Sequence, residues 1–246
     1  MGAVPEPFLI LGASGGIGAA ITRRIADQGH AVILHGRNRS RLDELAGTLG
    51  TSTSIEQADL TDEGAVAALF ARLQQAHGKL AGVVFSVATP FAKKLTHRTP
   101  WAVFEHQMQT QLKALHLAAS AAFPLMASTD ATRRLIVVGT EFVLKAPPIK
   151  MAAYVAAKAA VTAYAQVIAK EWLARGIRVH ILAPGLVKTA LVADMPDEFL
   201  DQMAQAMPER RLTSAEDVAS LAAFLVTDAA DPLYGTPIRI SRGDRF

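Results

Sequence analysis

Short runs in which nearly every position is apolar alternate along this chain with longer stretches in which apolar residues recur every third or fourth position. The first pattern belongs to strands buried on both faces, the second to helices with one buried side. It predicts strands at 8–11, 31–34, 80–85, 134–138 and 177–182, with 53–58 and 236–241 as further candidate strands, and helices at 19–28, 40–49, 63–77, 101–126, 151–170 and 214–226. Gly29 stands where a helix C-cap is expected. Pro147-Pro148 keep 141–150 out of a helix interior, and Pro184-Gly185 break the sixth strand. Residues 186–211, with two prolines and three methionines, form either a mobile substrate lid or an ordinary helical insertion. Strand and helix alternate over 1–246 without a linker-like break. The expected fold is therefore one α/β domain: a doubly wound, mostly parallel sheet of about seven strands flanked by helices, with right-handed crossovers.

Composition narrows the classes. Of 246 residues, 51% are hydrophobic and 19% charged, which suits a large core and argues against disorder. The absence of cysteine removes disulfides, thiolate metal sites and thiol nucleophiles. The net charge of +3 is spread along the chain, and the clusters at 37–41 and 133–134 make no continuous basic stripe for nucleic acid. Residues 1–7 lack the basic start and apolar run of a signal peptide, and runs such as 221–226 are too short to span a bilayer. A cytoplasmic protein with neither a nucleic-acid nor a membrane partner is expected.

Ligands in doubly wound sheets sit beyond the carboxyl ends of the strands. The first strand runs into Gly12-Ala-Ser-Gly-Gly-Ile-Gly18 and then a helix, the context of a Rossmann-type dinucleotide site. Gly12 permits the tight turn, Gly16 and Gly18 let backbone approach a pyrophosphate, and the helix N-terminus faces the phosphates. The second strand ends in His35-Gly36-Arg37. A carboxylate there would take a ribose 2′-hydroxyl and an arginine a 2′-phosphate. Arg37 thus favours NADP over NAD, unless it only opens a solvated helix. Asp59 either accepts from the adenine amino group or caps the helix at 63–77. Ser86 and Thr140 follow the fourth and fifth strands. Tyr154 and Lys158, at i and i+4, share one helix face. A nearby ammonium favours a phenolate and lowers a phenol pKa otherwise near ~10. The pair can therefore act as a proton-transfer unit, and the gathering of the other residues at one sheet edge sets it above a merely packed tyrosine.

With Asp59-Leu60, Ala183-Pro184-Gly185 and Tyr234-Gly235, these motifs resemble the short-chain dehydrogenase/reductase family from about residue 8 to 243, most of all its 3-oxoacyl-carrier-protein reductases. The resemblance implies an NADPH-dependent carbonyl reductase. Tyr154 would protonate the carbonyl oxygen, and Lys158 would hold the nicotinamide ribose and lower the Tyr154 pKa. The family's catalytic Ser falls at Thr140, with Glu141 a rival alignment, and its helix Asn falls at Gln111. The cofactor would meet Gly12, Ser14, Gly15, Gly16, Ile17 and Gly18 in the glycine turn, and Arg37, Asn38, Asp59 and Leu60 on the adenosine side. Nearer the nicotinamide it would meet Ser86, Val87, Ala88, Tyr154, Lys158, Pro184, Gly185, Val187 and Thr189. Gly15 stands where NADP-dependent members often carry a basic residue. Phe85-Ser-Val-Ala88 looks more like the enoyl-carrier-protein reductases, but Met151 occupies the place of their tyrosine. His180 replaces the usual Asn before the Pro-Gly motif and is expected to face the core. The resemblance further implies a ketone substrate, free or carrier-bound, with Arg133, Arg134 and Arg175 gripping an acyl carrier protein, and a dimer or tetramer formed through the helices at 101–126 and 151–175. The substitutions at Phe85, Gln111 and Thr140 leave a second reading, a non-catalytic NADP-binding partner subunit.

Overall fold

The apolar runs become the strands of one seven-stranded sheet in the computed structural model, which describes residues 6–243 other than 51, 92 and 129. In chain order the elements are β1 (Phe8–Leu11), α1 (Gly16–Asp27), β2 (Val32–His35), α2 (Arg39–Ala46), β3 (Thr53–Glu56), α3 (Glu63–His77), β4 (Gly82–Phe85), α4 (Trp101–Met108), α5 (Ala114–Met126), β5 (Arg133–Val138), α6 (Ala152–Glu171), β6 (Ile177–Pro184), α7 (Asp197–Ala206), α8 (Ala215–Leu225) and β7 (Pro237–Ile240). The strand order is β3-β2-β1-β4-β5-β6-β7. All six pairings are parallel, so the sheet is wholly rather than mostly parallel.

Alternate residues of the inner strands feed two cores. Leu9, Leu11, Phe85, Leu135 and Val137 pack under α3, α5 and α6, against Leu69, Leu115 and Val161. Phe8, Ile10, Leu34, Val84 and Ile136 pack under α1, α2 and α8, against Ile21, Leu42 and Val218. Leu11 is level with both His35 and Phe85, and Phe85 with Val137, so β1, β2 and β4 end together and β5 one residue later. The chain reverses its direction of sheet growth between β1 and β4, where such sheets open a crevice. α6 is long and apolar enough, by length and composition, to cross a membrane, yet half of it is buried in the protein, where it packs on β6 and α4.

Several elements differ from expectation. α1 starts at Gly16, earlier than 19, because the glycines enter the helix itself. The stretch 101–126 is not one α-helix: a π turn over Gln109–Lys113 joins α4 to α5. β6 runs through Pro184, whose missing N–H falls at the strand's end, where Pro184 pairs with Ile240. α3 is capped by Asp62, whose carboxylate accepts from the Ala65 amide at 2.8 Å, so Asp59 is not the cap. Residues 186–211 contain α7, of which only Leu200 is buried. Arg133 and Arg134 open β5 and Arg175 lies just before β6, at the amino edge of the sheet, opposite the strand ends. Arg134 is 2% exposed and donates to Asp228, with Asp231 at 2.7 Å. It is a buried ion-pair member and cannot grip a partner's surface.

Candidate functional site

Two clefts run along the carboxyl edge of the sheet and meet at the glycine turn. One, of about 300 Å³, is lined by Gly15, Gly16, Ile17 and Gly18, by Thr140, Tyr154 and Lys158, and by Pro184, Gly185, Val187 and Thr189. The other, of about 240 Å³, is lined by Gly12, Ser14, Arg37, Asp59 and Leu60. Gly15, Ser86, Val87, Ala88 and Arg41 line both. Every predicted cofactor residue except Asn38 therefore faces a cleft. Asn38 caps α2 instead, accepting from the Arg41 amide at 3.1 Å.

The glycine turn is a cradle that side chains would fill. Gly12 has φ +85°, and a Cβ there would lie 2.5 Å from the Ser86 carbonyl oxygen. A Cβ on Gly18 would lie 2.1 Å from the Gly12 oxygen, and one on Gly16 2.8 Å from the Thr189 methyl. α1 has no side-chain cap and no acidic residue in its first turn, so its leading N–H groups are left for an anion. The residues present fit a dinucleotide whose pyrophosphate sits at this junction.

Thr140 follows β5, and α6 brings Tyr154 and Lys158 beneath it. The Thr140 hydroxyl lines the same cleft as the Tyr154 phenol, donates to the Pro184 carbonyl at 3.5 Å and accepts from the Phe142 amide at 3.4 Å. Lys158 is 2% exposed and donates to the Val138 carbonyl at 2.8 Å. Burial pushes the Tyr154 phenol up to about 12, opposed only by the Thr140 hydroxyl, and pulls the Lys158 ammonium down to about 8. The resemblance implies that Lys158 lowers the Tyr154 pKa; here burial sets the direction of the shift, and Lys158 is not among its causes. The Asp59 carboxyl is held below its usual range, first by the Thr61 amide and hydroxyl that it accepts at 2.9 and 2.8 Å.

Gln111 reaches neither cleft. It is fully buried in the π turn, and its amide donates to Gln107 at 2.6 Å. Gln107 in turn donates to Thr89, which shares a bond with Thr110. Glu141 is also buried, with Lys145 at 2.6 Å and Arg239 at 3.5 Å, and faces away from the role of donor beside Tyr154. His180 is fully buried as expected, but only half satisfied: Nδ1 bonds the Leu233 carbonyl at 2.9 Å, while Nε2 has no partner among the described residues.

Sequence reasoning missed Arg41 and the apolar wall around Tyr154. Phe91 stacks on the Tyr154 ring at 4.6 Å, and Phe142, Met151, Leu191 and Val192 complete the wall. Arg41 carried only its place in the basic cluster at 37–41, since Arg37 lies before the Asn38 cap and shares no helix face with it. Phe142, Leu191 and Val192 sit in short 3-10 turns within 141–150 and 186–211, the stretches expected to wall the pocket, and Met151 caps α6; no local pattern singled these residues out.

A family model described as Enoyl-(Acyl carrier protein) reductase matches residues 12–243. The cis-4-hydroxycyclohexanecarboxylate dehydrogenase of Sinomonas cyclohexanicum is 31% identical over 96% of this chain and 94% of its own. A 3-oxoacyl-(acyl-carrier-protein) reductase of Haemophilus influenzae is 27% identical over 96% of both chains. Among solved structures, the Pseudomonas aeruginosa RhlG/NADP active-site complex superposes with a TM-score of 0.89 at 25% identity, covering 97% of this chain and 95% of that one.

Proposed function

The chain belongs to the short-chain dehydrogenase/reductase family, and from that premise we propose that it is an NADPH-dependent carbonyl reductase that turns a ketone, foremost a 3-oxoacyl thioester, into a secondary alcohol. The observation that carries this reading is the Thr140–Tyr154 hydroxyl pair on the floor of a cleft continuous with the glycine turn. Arg37 at the end of β2, where the chain carries no acidic residue, supports NADPH over NADH, with Asp59 on the same cleft. The 27% identical 3-oxoacyl reductase supports the substrate class. The apolar wall supports a substrate with an apolar body.

When bound, the dihydronicotinamide supplies the hydride. The protein's own groups supply the proton and hold the carbonyl. Tyr154, protonated throughout the neutral range because its pKa stands at about 12, donates to the carbonyl oxygen as charge develops there. Thr140 donates a second hydrogen bond to the same oxygen. Lys158, anchored on the Val138 carbonyl, presents a positive charge that favours the phenolate left behind. The exposed Trp101 and Val167 on α4 and α6 support homo-oligomer formation through those helices.

Loss of NADPH absorbance with an acetoacetyl thioester tests the reading, beside a cyclic ketone chosen for the 31% identical relative. Turnover of either supports a reductase. Tight NADPH binding with no turnover across ketone classes would favour the non-catalytic partner instead.

The pH profile follows from Lys158. Its ammonium is present below about 8, while Tyr154 keeps its proton to about 12. Reduction should therefore hold through neutral pH and lose kcat/KM above about pH 8; a profile flat to pH 10 would remove Lys158 from its role. The folded Lys158 pKa lies below its ordinary 10.5, so the cost of burying this charge is fully present below about pH 8 and is relieved as pH rises toward 10.5.

A further inference from the structure

Three arginines cluster at the start of α2, and the structure separates their roles. Arg39 is held by Asp43, with Nε donating to both carboxylate oxygens at 2.9 and 3.1 Å. Arg37 lines only the adenosine-side cleft. Arg41 lines both clefts, and it is the charged residue that the two linings share: Lys158 belongs to one alone, Arg37 and Asp59 to the other. The Asn38 cap fixes the first turn of α2 and accepts directly from the Arg41 backbone amide, which holds the Arg41 backbone beside both clefts.

A dinucleotide that fills both clefts must cross that junction with its pyrophosphate. The α1 N-terminus meets it there with amides alone, since Gly15 gives no charge to the turn and α1 has no basic residue in its opening turn. We infer that Arg41 is a pyrophosphate-holding residue, supplying from α2 the positive charge that the glycine turn lacks, while Arg37 alone reads the 2′-phosphate. The inference rests on the dinucleotide reading of the site. It separates two functions that a single arginine cluster conceals: Arg41 sets affinity for either nicotinamide dinucleotide, and Arg37 sets the choice between them.

Calorimetric titration of NADPH, NADH and 2′-AMP into wild type, Arg41→Ala and Arg37→Ala tests it without turnover. A charge-assisted contact removed from a solvent-facing phosphate should weaken binding by about 10-fold. Arg41→Ala should lose about that factor for NADPH and NADH alike, and bind 2′-AMP as wild type does. Arg37→Ala should lose affinity for NADPH and 2′-AMP and keep NADH. Arg41→Lys should recover part of the loss, because a point charge still meets the phosphates. Arg41 is exposed, so a folding defect is not expected, and a thermal melt confirms it. If Arg41→Ala lowers NADPH affinity alone, or leaves both dinucleotides unchanged, the assignment is wrong while the cofactor reading stands. If wild type binds neither dinucleotide, both fall together.

Discussion

Tyr154→Phe is expected to cut ketone reduction by ~10²–10⁴-fold, the range typical for loss of a positioned proton donor, while NADPH affinity stays within about twofold, since a lone neutral hydroxyl contributes little to a net binding energy. The ring should remain where it is. Its packing comes from Phe91, Phe142 and Met151, and none of these contacts involves the hydroxyl. What disappears is the phenol hydroxyl and its proton, on the cleft that Thr140 also lines. Thr140 and the cofactor could still polarise a carbonyl, but the alkoxide would then have to take its proton from water in a cleft walled by apolar side chains. The stability cost is small, about 1 kcal/mol for one buried hydroxyl. Single-turnover mixing of NADPH-loaded protein with ketone, next to a fluorescence titration of NADPH, separates chemistry from binding. A variant that keeps more than about a tenth of the wild-type rate would remove Tyr154 from the proton-transfer step, because that loss lies below the range for general acid catalysis.

The same tyrosine shows where a sequence stops speaking. The i, i+4 spacing put Tyr154 and Lys158 on one face, and the fold keeps them there, in one cleft with Thr140. The spacing could not give the sign of the pKa shift. Proximity and burial act in opposite directions on a phenol, and burial depends on Phe91 and Leu191, which come from loops far along the chain. The inner strands were legible because runs buried on both faces have no polar alternation to confuse them, whereas the edge strands β3 and β7 are only partly buried. The π turn was not. One extra residue in a helix that is apolar on several sides leaves the periodicity almost unchanged, yet it carries Gln111 away from the cleft and onto Gln107. Arg134 failed as a surface residue for a related reason. Its counter-charges, Asp228 and Asp231, lie beyond α8, and nothing local announces them.

The glycine turn allows the most direct test that the cleft holds a dinucleotide. Gly18→Ala should abolish the thermal stabilisation that NADPH gives the wild type, with affinity falling by two orders of magnitude or more, roughly the ~3 kcal/mol at the upper end of overpacking costs. The added methyl would sit 2.1 Å from the Gly12 oxygen, 2.9 Å from its carbon and 3.2 Å from the Ala13 Cα. All three are backbone atoms, so no side chain can swing aside. Gly12 cannot retreat either, because it already approaches the Ser86 carbonyl too closely to accept a Cβ of its own. The strain must move the start of α1, and with it the uncapped N–H groups aimed at the junction of the clefts. Gly29→Ala is the matched control. Its φ of +87° makes any side chain costly, by about 1–2 kcal/mol, but nothing lies within 4 Å and the residue sits at the far end of α1. Both variants should melt earlier than wild type without ligand. With NADPH added, Gly29→Ala should regain the full wild-type increment and Gly18→Ala none of it. If Gly18→Ala rises as the wild type does, the glycine turn is packing and not a phosphate cradle. In that case the dinucleotide would have to be held at the clefts' outer walls, where the structure offers Arg37 and Arg41 but no array of backbone donors.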